Sequence, residues 1–397
     1  MNVFQDKHRI FLTCAKGVAP FLAAEVRALG LPVIEEIDAG VETEGSGSDA
    51  MRLNLVLRTG QRVLYHLLDF TAHSAEDLYS STWNVPWEEI LLPDGYFTVT
   101  SSVFHETIRD TRFATLRCKD AVVDRMREKF GRRPNSGSEQ RGAALFLFWH
   151  GRRARLFLDT SGEPLARRGY RKIPLGAPMQ ETLAAAVMLG TGWNGRDPFV
   201  NPMCGSGTLA IEAALIALGR APGLLRSGYA FQHVVGFDEA AWKEMRSKAR
   251  VAAARKPAGR IIATDRSFTA VEAAKQNAKT AGVDPIIEFS QCDFSETPIP
   301  EGGGAVVLNP DYGERQGELG ELAELYHRIG DFLKSRCQGY LGHVFTGNLD
   351  LAKRIGLRCA RRQTFFNGAI ECRLLSYELY SGTRRAGPLA PAAAPPT

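Results

Sequence analysis

The chain has 397 residues, 44% of them hydrophobic and 23% charged, so at roughly 150 residues per domain it can build two to three packed domains. That composition excludes a short peptide, a small disulfide-stapled scaffold and a globally disordered chain. With 49 Lys/Arg against 44 Asp/Glu the formal charge is only +5, which as a total names no acidic partner.

In chain order, residues 9–13 read as a strand, and a helical pattern opens at Gly17 and runs through Phe21, Leu22, Val26 and Leu29 to Gly30. Leu53, Leu55 and Leu57 alternate, which predicts a strand over 51–57, and a helix is expected over about 60–69. Then come a strand at 96–103, an amphipathic helix at 112–130 marked by Ala114, Leu116, Ala121, Val122 and Met126, and paired strands at 144–149 and 154–159 turning at His150-Gly151. No glycine-rich nucleotide loop interrupts this half, so it reads as small α+β units.

The second half opens with a helix at about 180–190 and continues through FVNPM, GSGTLAIEAALIALG, RIIATD, a helix at 268–281, IIEFSQCD and GAVVLNP. A helix at 318–336 and strands near 339–345, 359–366 and 370–380 complete it. Short apolar strands alternating with helices predict a mostly parallel sheet covered on both faces. The Pro/Ala-rich stretch over 384–397 is expected to be disordered.

Charge is distributed unevenly. Residues 101–175 hold 17 Lys/Arg and 8 Asp/Glu, a net of +9, so the rest of the chain carries −4. A phosphate-binding surface accounts for that imbalance better than a merely solvated face. The seven cysteines are scattered and never form C-x-x-C, which favours neither a disulfide framework nor a structural metal site and suits a cytoplasmic protein. Asp6, Lys7 and Arg9 precede any apolar run, so no signal-peptide core is expected, and no apolar stretch is long enough to span a membrane.

The motif that carries chemistry lies where Phe199, Val200 and Met203 lead into Gly205-Ser206-Gly207-Thr208 and then a helix. Such a strand–glycine loop–helix junction aims backbone N–H groups at a ligand beyond the carboxyl edge of a sheet. Gly205, Gly207 and Ala210 also fit the dinucleotide pattern G-x-G-x-x-A. However, Asp265, the candidate ribose acid, falls about 60 residues later rather than the roughly 20 expected for NAD. Asp293 can accept from an adenine amino group and Phe294 can lie against its ring, so the strand-end acids outline an adenosine pocket. In the next strand end, Asn309-Pro310-Asp311-Tyr312, the Asn309 oxygen and Pro310 carbonyl can accept from an exocyclic amine, and Tyr312 can stack on a base taken out of its helix.

These residues resemble the class I S-adenosyl-L-methionine-dependent methyltransferases that carry an N-terminal THUMP domain, of the bacterial RlmL-type rRNA guanine-N2 family. The likeness rests on SGEPLARRGYR (161–171), ETLAAA (181–186), NPMCGSGTLAIEAAL (201–215), ATDRS (263–267) and NPDYGER (309–315). It implies an α/β protein: a ferredoxin-like segment over 1–50 and an RNA-holding THUMP domain over 51–160, then a linker over 161–178. A Rossmann-like methyltransferase domain follows over 179–383. It further implies that Asn201, Gly205, Gly207, Asp265 and Asp293 hold S-adenosyl-L-methionine, that Asn309, Pro310 and Tyr312 hold the base, and that Arg132, Arg133, Arg168, Arg171 and Arg315 contact RNA. Members usually carry Asp where this chain has Asn201 and a second Pro where it has Asp311.

The expected reaction is methyl transfer to guanine N2 in 23S rRNA, without a metal, a membrane or a covalent cysteine step. The alternatives are a tRNA guanine-N2 or adenine-N6 acceptor, or an RNA-binding assembly factor that has lost catalysis, which Asn201 and Asp311 would favour. A NAD oxidoreductase accounts less well for the basic half.

Overall fold

The computed structural model describes residues 3–105, 110–176, 179–253, 256–312 and 319–380. Its first half contains β1 (His8–Thr13), α1 (Ala19–Ala28), β2 (Glu35–Ile37), β3 (Gly40–Gly45), α2 (Gly47–Val56), β4 (Arg62–Thr71) and α3 (Ala75–Trp83). It continues with β5 (Tyr96–Phe104), α4 (Thr111–Phe130), β6 (Asn135–Ser136), β7 (Ala143–His150) and β8 (Arg153–Asp159). All eight strands share one sheet in the order β2-β3-β1-β4-β8-β7-β5-β6. Near the middle of this sheet β4 pairs antiparallel with β8, Tyr65 opposite Leu158. Against the sheet α4 buries Ala114, Cys118, Ala121, Val122 and Met126 at helical spacing; Asp110 caps its start and Gly131, at φ 65°, ends it.

Two expected elements are corrected. Residues 51–56, expected within a strand over 51–57, belong to the helix α2. Ser46 and Asp49 form a reciprocal cap at its start, and Ala50, Met51, Leu53, Asn54 and Leu55 are all buried, so burial on several sides erases the helical period. Residues 62–69, expected within a helix over about 60–69, belong to the strand β4. A β-bulge between His66 and Leu68 breaks the alternation of β4, and Val63, Leu64, Leu67 and Leu68 then fall at intervals that imitate a helix.

The second half contains α5 (Glu181–Thr191), β9 (Phe199–Pro202), α6 (Thr208–Ala217), α7 (Glu239–Ala252), β10 (Ile261–Asp265), α8 (Phe268–Ala281), β11 (Ile287–Gln291) and β12 (Gly304–Leu308). It closes with α9 (Leu319–Arg336), β13 (Tyr340–Thr346), β14 (Arg361–Asn367) and β15 (Ile370–Glu378). Its strands run in the order β11-β10-β9-β12-β13-β15-β14. Strands from β11 to β13 are parallel and β15 is antiparallel, as expected of a Rossmann-like sheet. The chain winds outward in both directions from β9 and β12, which places a crevice at their carboxyl ends.

The segment expected as a linker is packed between the halves. Leu165, Ala166, Arg168 and Tyr170 are all buried. Arg168 is therefore corrected: at 1% exposure it reaches no RNA. Its Nε lies 2.9 Å from the Glu212 carboxylate of α6, and it donates to the Arg58 carbonyl at 2.7 Å. Tyr170 donates to Glu212 at 3.0 Å. On the other side of Arg58, the Glu25 carboxylate of α1 accepts from the Arg58 and Thr59 amides at 2.7 and 3.0 Å. Burial raises the Glu212 carboxyl, and the neighbouring Arg168 and Arg58 cations oppose that rise. A buried polar chain thus ties α1 to the helix that begins at the glycine loop.

Candidate active site

The glycine loop owes its shape to backbone that side chains resist. Gly205 and Gly207 stand at φ 54° and 84°, and Met203 shares the left-handed region at φ 57°. The two glycines do different work. A Cβ on Gly205 would meet nothing within 4 Å, and Gly205 lines a cavity of about 250 Å³. A Cβ on Gly207 would stand 2.9 Å from the Ala274 Cβ, so Gly207 lets α6 approach α8 and is not on the cavity wall.

Strand ends supply the acids. Asp265 accepts from the Gly205 amide at 3.0 Å and the Ser267 amide at 2.9 Å, which fixes the carboxylate against the loop. Asp293 accepts on Oδ1 from the Ser295 amide, the Ser295 hydroxyl and Arg328 at 3.0, 2.6 and 2.7 Å, which leaves Oδ2 to accept from a ligand. Burial pushes the Asp293 carboxyl up, but the Ser295 hydrogen bonds and the Arg328 cation outweigh it and hold the group below its ordinary value. Arg328 also lies over the Phe294 ring, 5.0 Å from its centroid. Sequence reasoning missed Arg328: it sits on α9, 35 residues beyond Asp293, and no local motif marks it.

The same cavity is lined by Asn309, Pro310 and Asp311 together with Met179, Asp265, Asp293 and Phe294. The Asn309 Oδ1 is buried and has no hydrogen-bond partner among the described residues. Tyr312 is not on this wall. Its hydroxyl accepts from Asn367 at 3.0 Å and its carbonyl from Asn348 at 3.3 Å, which turns the ring toward the β14–β15 hairpin. Asn201 is likewise off the wall. Fully buried in β9, it donates to the Val307 carbonyl of β12 at 2.8 Å, and its Oδ1 has no hydrogen-bond partner among the described residues. It braces the strand pair where the winding reverses, and its amide can donate where an ionised Asp could not. Arg315 lies outside the described residues.

Residues 168–376 match the RMKL-like methyltransferase domain, residues 9–64 the RlmL ferredoxin-like domain and residues 72–140 the THUMP domain. The chain belongs to the RMKL-like methyltransferase family. It is 41% identical to the ribosomal RNA large subunit methyltransferase K/L of Syntrophotalea carbinolica, over 94% of this chain and 53% of that protein. It is 37% identical to the protein of the same name from Psychromonas ingrahamii, over 93% of this chain and 50% of that one. This chain therefore spans about half the length of those two relatives. A Synechocystis protein named as a candidate RNA methyltransferase is 34% identical over 93% of this chain and 96% of its own. Among solved structures, SMU.472, a candidate methyltransferase complexed with SAH, superimposes with a TM-score of 0.86 at 26% identity, covering 96% of this chain and all of that one. A Listeria monocytogenes protein named as an N6-adenine-specific DNA methylase superimposes with a TM-score of 0.84 at 30% identity, over 94% of this chain and 97% of that one.

Within this family member the expected RNA arginines divide. Arg171 is partly buried and engaged within the protein: its guanidinium donates to the Met179 carbonyl at 2.5 Å and to the Thr208 hydroxyl at 3.1 Å, and lies 3.5 Å from Glu181. These contacts tie it to Met179 and to Thr208 at the start of α6. Arg132 and Arg133 are exposed, and Arg132 pairs with Asp94 at 2.8 Å. Much of the basic stretch is matched in the same way, Arg112 by Asp110, Arg117 by Glu76, Arg125 by Glu88 and Arg155 by Glu42 and Asp69. Lys129, Arg133, Arg152 and Arg153 are exposed and make no ion pair with another described residue. Among the described residues, no helix is long and apolar enough to cross a membrane, and no His/Cys/Asp/Glu cluster could hold a metal.

Proposed function

We propose that the chain transfers a methyl group from S-adenosyl-L-methionine to the exocyclic N2 of a guanosine in large-subunit ribosomal RNA. The observation that carries this reading is the unpartnered Asn309 Oδ1, buried on the wall of a cavity whose other walls bear Asp265, Asp293 and Phe294. That donor set fits an adenosine-bearing sulfonium: Asp265 to accept from ribose hydroxyls, Asp293 Oδ2 to accept from an adenine amine, and Phe294 to lie beside the ring. When bound, the cofactor supplies an electrophilic methyl group.

The chain's own residues position the acceptor. Asn309 Oδ1 and the Pro310 carbonyl accept hydrogen bonds from the two amine protons, which aims the nitrogen lone pair across the cavity. Positive charge grows on that nitrogen as the methyl arrives, and these two oxygens stabilise it. The methylated nitrogen is acidic enough to release its proton to water. Cys204 takes no part: burial first, and the Asp265 charge second, push its thiol far above its ordinary value. Phosphates would meet the exposed cations of the N-terminal half, among which Arg133, Arg152 and Arg153 are not already matched by acids.

An adenine N6 acceptor is the second reading, favoured by the name of the Listeria relative. Incubation with labelled S-adenosyl-L-methionine and separate rRNA and tRNA pools, from a strain lacking the enzyme, tests the assignment. The expected result is label in rRNA; label in tRNA alone would contradict it.

A further inference from the structure

A second cleft, of about 270 Å³, opens between the two halves and is lined by Lys16, Gln61, Gln180, Leu183, Phe366 and Asn367 among others. Its walls are closely packed against one another. Gly17 stands at φ 83° so close to β14 that a Cβ there would lie 2.5 Å from the Thr364 carbonyl, and Phe21 stacks on Phe365 at 5.6 Å. The cleft adjoins the cofactor cavity along one stretch of chain: Met179 lines the first and Gln180 the second. Asn367 of the cleft donates to the Tyr312 hydroxyl, and Tyr312 lies two residues beyond Pro310 of the cavity.

The lining chemistry suits one nucleotide. The Lys16 ammonium sits 4.7 Å from the Phe366 ring centroid, and the acid paired with it among the described residues, Asp38, is 4.0 Å away with both side chains largely in solvent, a weak competitor. Gln61 donates its amide to the Gln180 oxygen at 3.3 Å. One bond between two primary amides leaves a carbonyl oxygen on one and N–H groups on the other, whichever way each amide is turned. A base edge can be read by that pair while its phosphate meets Lys16. The volume approaches the roughly 300 Å³ at the small end of ligand sites.

We propose that this cleft binds the nucleotide next to the target base, with Lys16 on its phosphate and Gln61 and Gln180 on its base edge. The inference rests on the RNA methyltransferase reading above. Methyl transfer to rRNA from a strain lacking the enzyme, measured over a range of salt, tests it in wild type, Lys16→Ala, Gln61→Leu and Lys16→Arg. Lys16→Ala is expected to raise KM for rRNA about tenfold and Gln61→Leu about fivefold, the effect of losing a charged and a neutral hydrogen bond. Both should leave kcat within about twofold, and melting temperature and calorimetric cofactor affinity unchanged. Lys16→Ala should also lower the salt slope of RNA binding by about one, and Lys16→Arg should restore it. Unchanged KM and slope in the variants, with an active wild type, would overturn the cleft assignment alone. A wild-type chain that methylates no RNA would overturn the parent reading and the cleft with it.

Discussion

Asn309 carries a cost that the fold alone does not explain, since a buried acceptor left without a donor costs about 1–3 kcal/mol. A substrate amine would remove that cost, so Asn309→Ala should lower kcat by about 100-fold or more. Calorimetry should show cofactor affinity near wild type, because the acids that would hold the adenosine lie on other strands. A variant that lost cofactor affinity in proportion to rate would place Asn309 in the wrong half of the site. At this scale Asn309, Pro310, Gly205, Asp265 and Asp293 were legible as positions on the cavity wall, because each stands at a strand end within a short motif. Arg328, Tyr312 and Asn201 were not. Arg328 reaches the site only through the placement of α9, the Tyr312 ring is turned by Asn367 from a distant hairpin, and Asn201 spends its amide on Val307.

Elements of the second sheet hold one another through buried polar pairs as well as apolar packing. His343 on β13 faces Ser376 on β15, ring nitrogen to hydroxyl 3.0 Å apart. Burial, and then the Arg361 charge, lower its pKa to about 4 from 6.5, so the folded state keeps it neutral. The unfolded chain binds the proton first, so the stability His343 contributes is present above pH 6.5 and is lost as pH falls from 6.5 toward 4. The full loss is about 3 kcal/mol. Denaturant midpoints across that interval should fall less steeply for His343→Asn than for wild type; parallel slopes would refute the assignment. The second sheet was legible because its strands are short apolar runs separated by helices. In the first sheet the identities of α2 and β4 were exchanged, since burial on several sides and a bulge each removed the periodicity that tells helix from strand.

On the scale of the whole molecule, the +5 total conceals a basic stretch, and the structure shows that stretch to be partly a framework. Arg168 leaves the surface altogether to meet Glu212, and Tyr170, Arg58 and Glu25 extend that contact from the glycine-loop helix into α1. Charge counting could not separate such internal cations from the exposed ones, because the separation depends on how the halves pack. Removing one partner of a buried ion pair costs about 3–5 kcal/mol, so Glu212→Ala should lower the melting temperature sharply. An Arg168→Met, Glu212→Leu double replacement should recover most of that loss. Equal melting temperatures for wild type and Glu212→Ala would show that the pair does not hold the halves together.

The assignment to guanine N2 stands or falls on what leaves the cavity. Large-subunit rRNA from a strain lacking the enzyme, methylated with labelled S-adenosyl-L-methionine and digested to nucleosides, should yield its label as N2-methylguanosine; label only in methyladenosine, or no label at all, would contradict it.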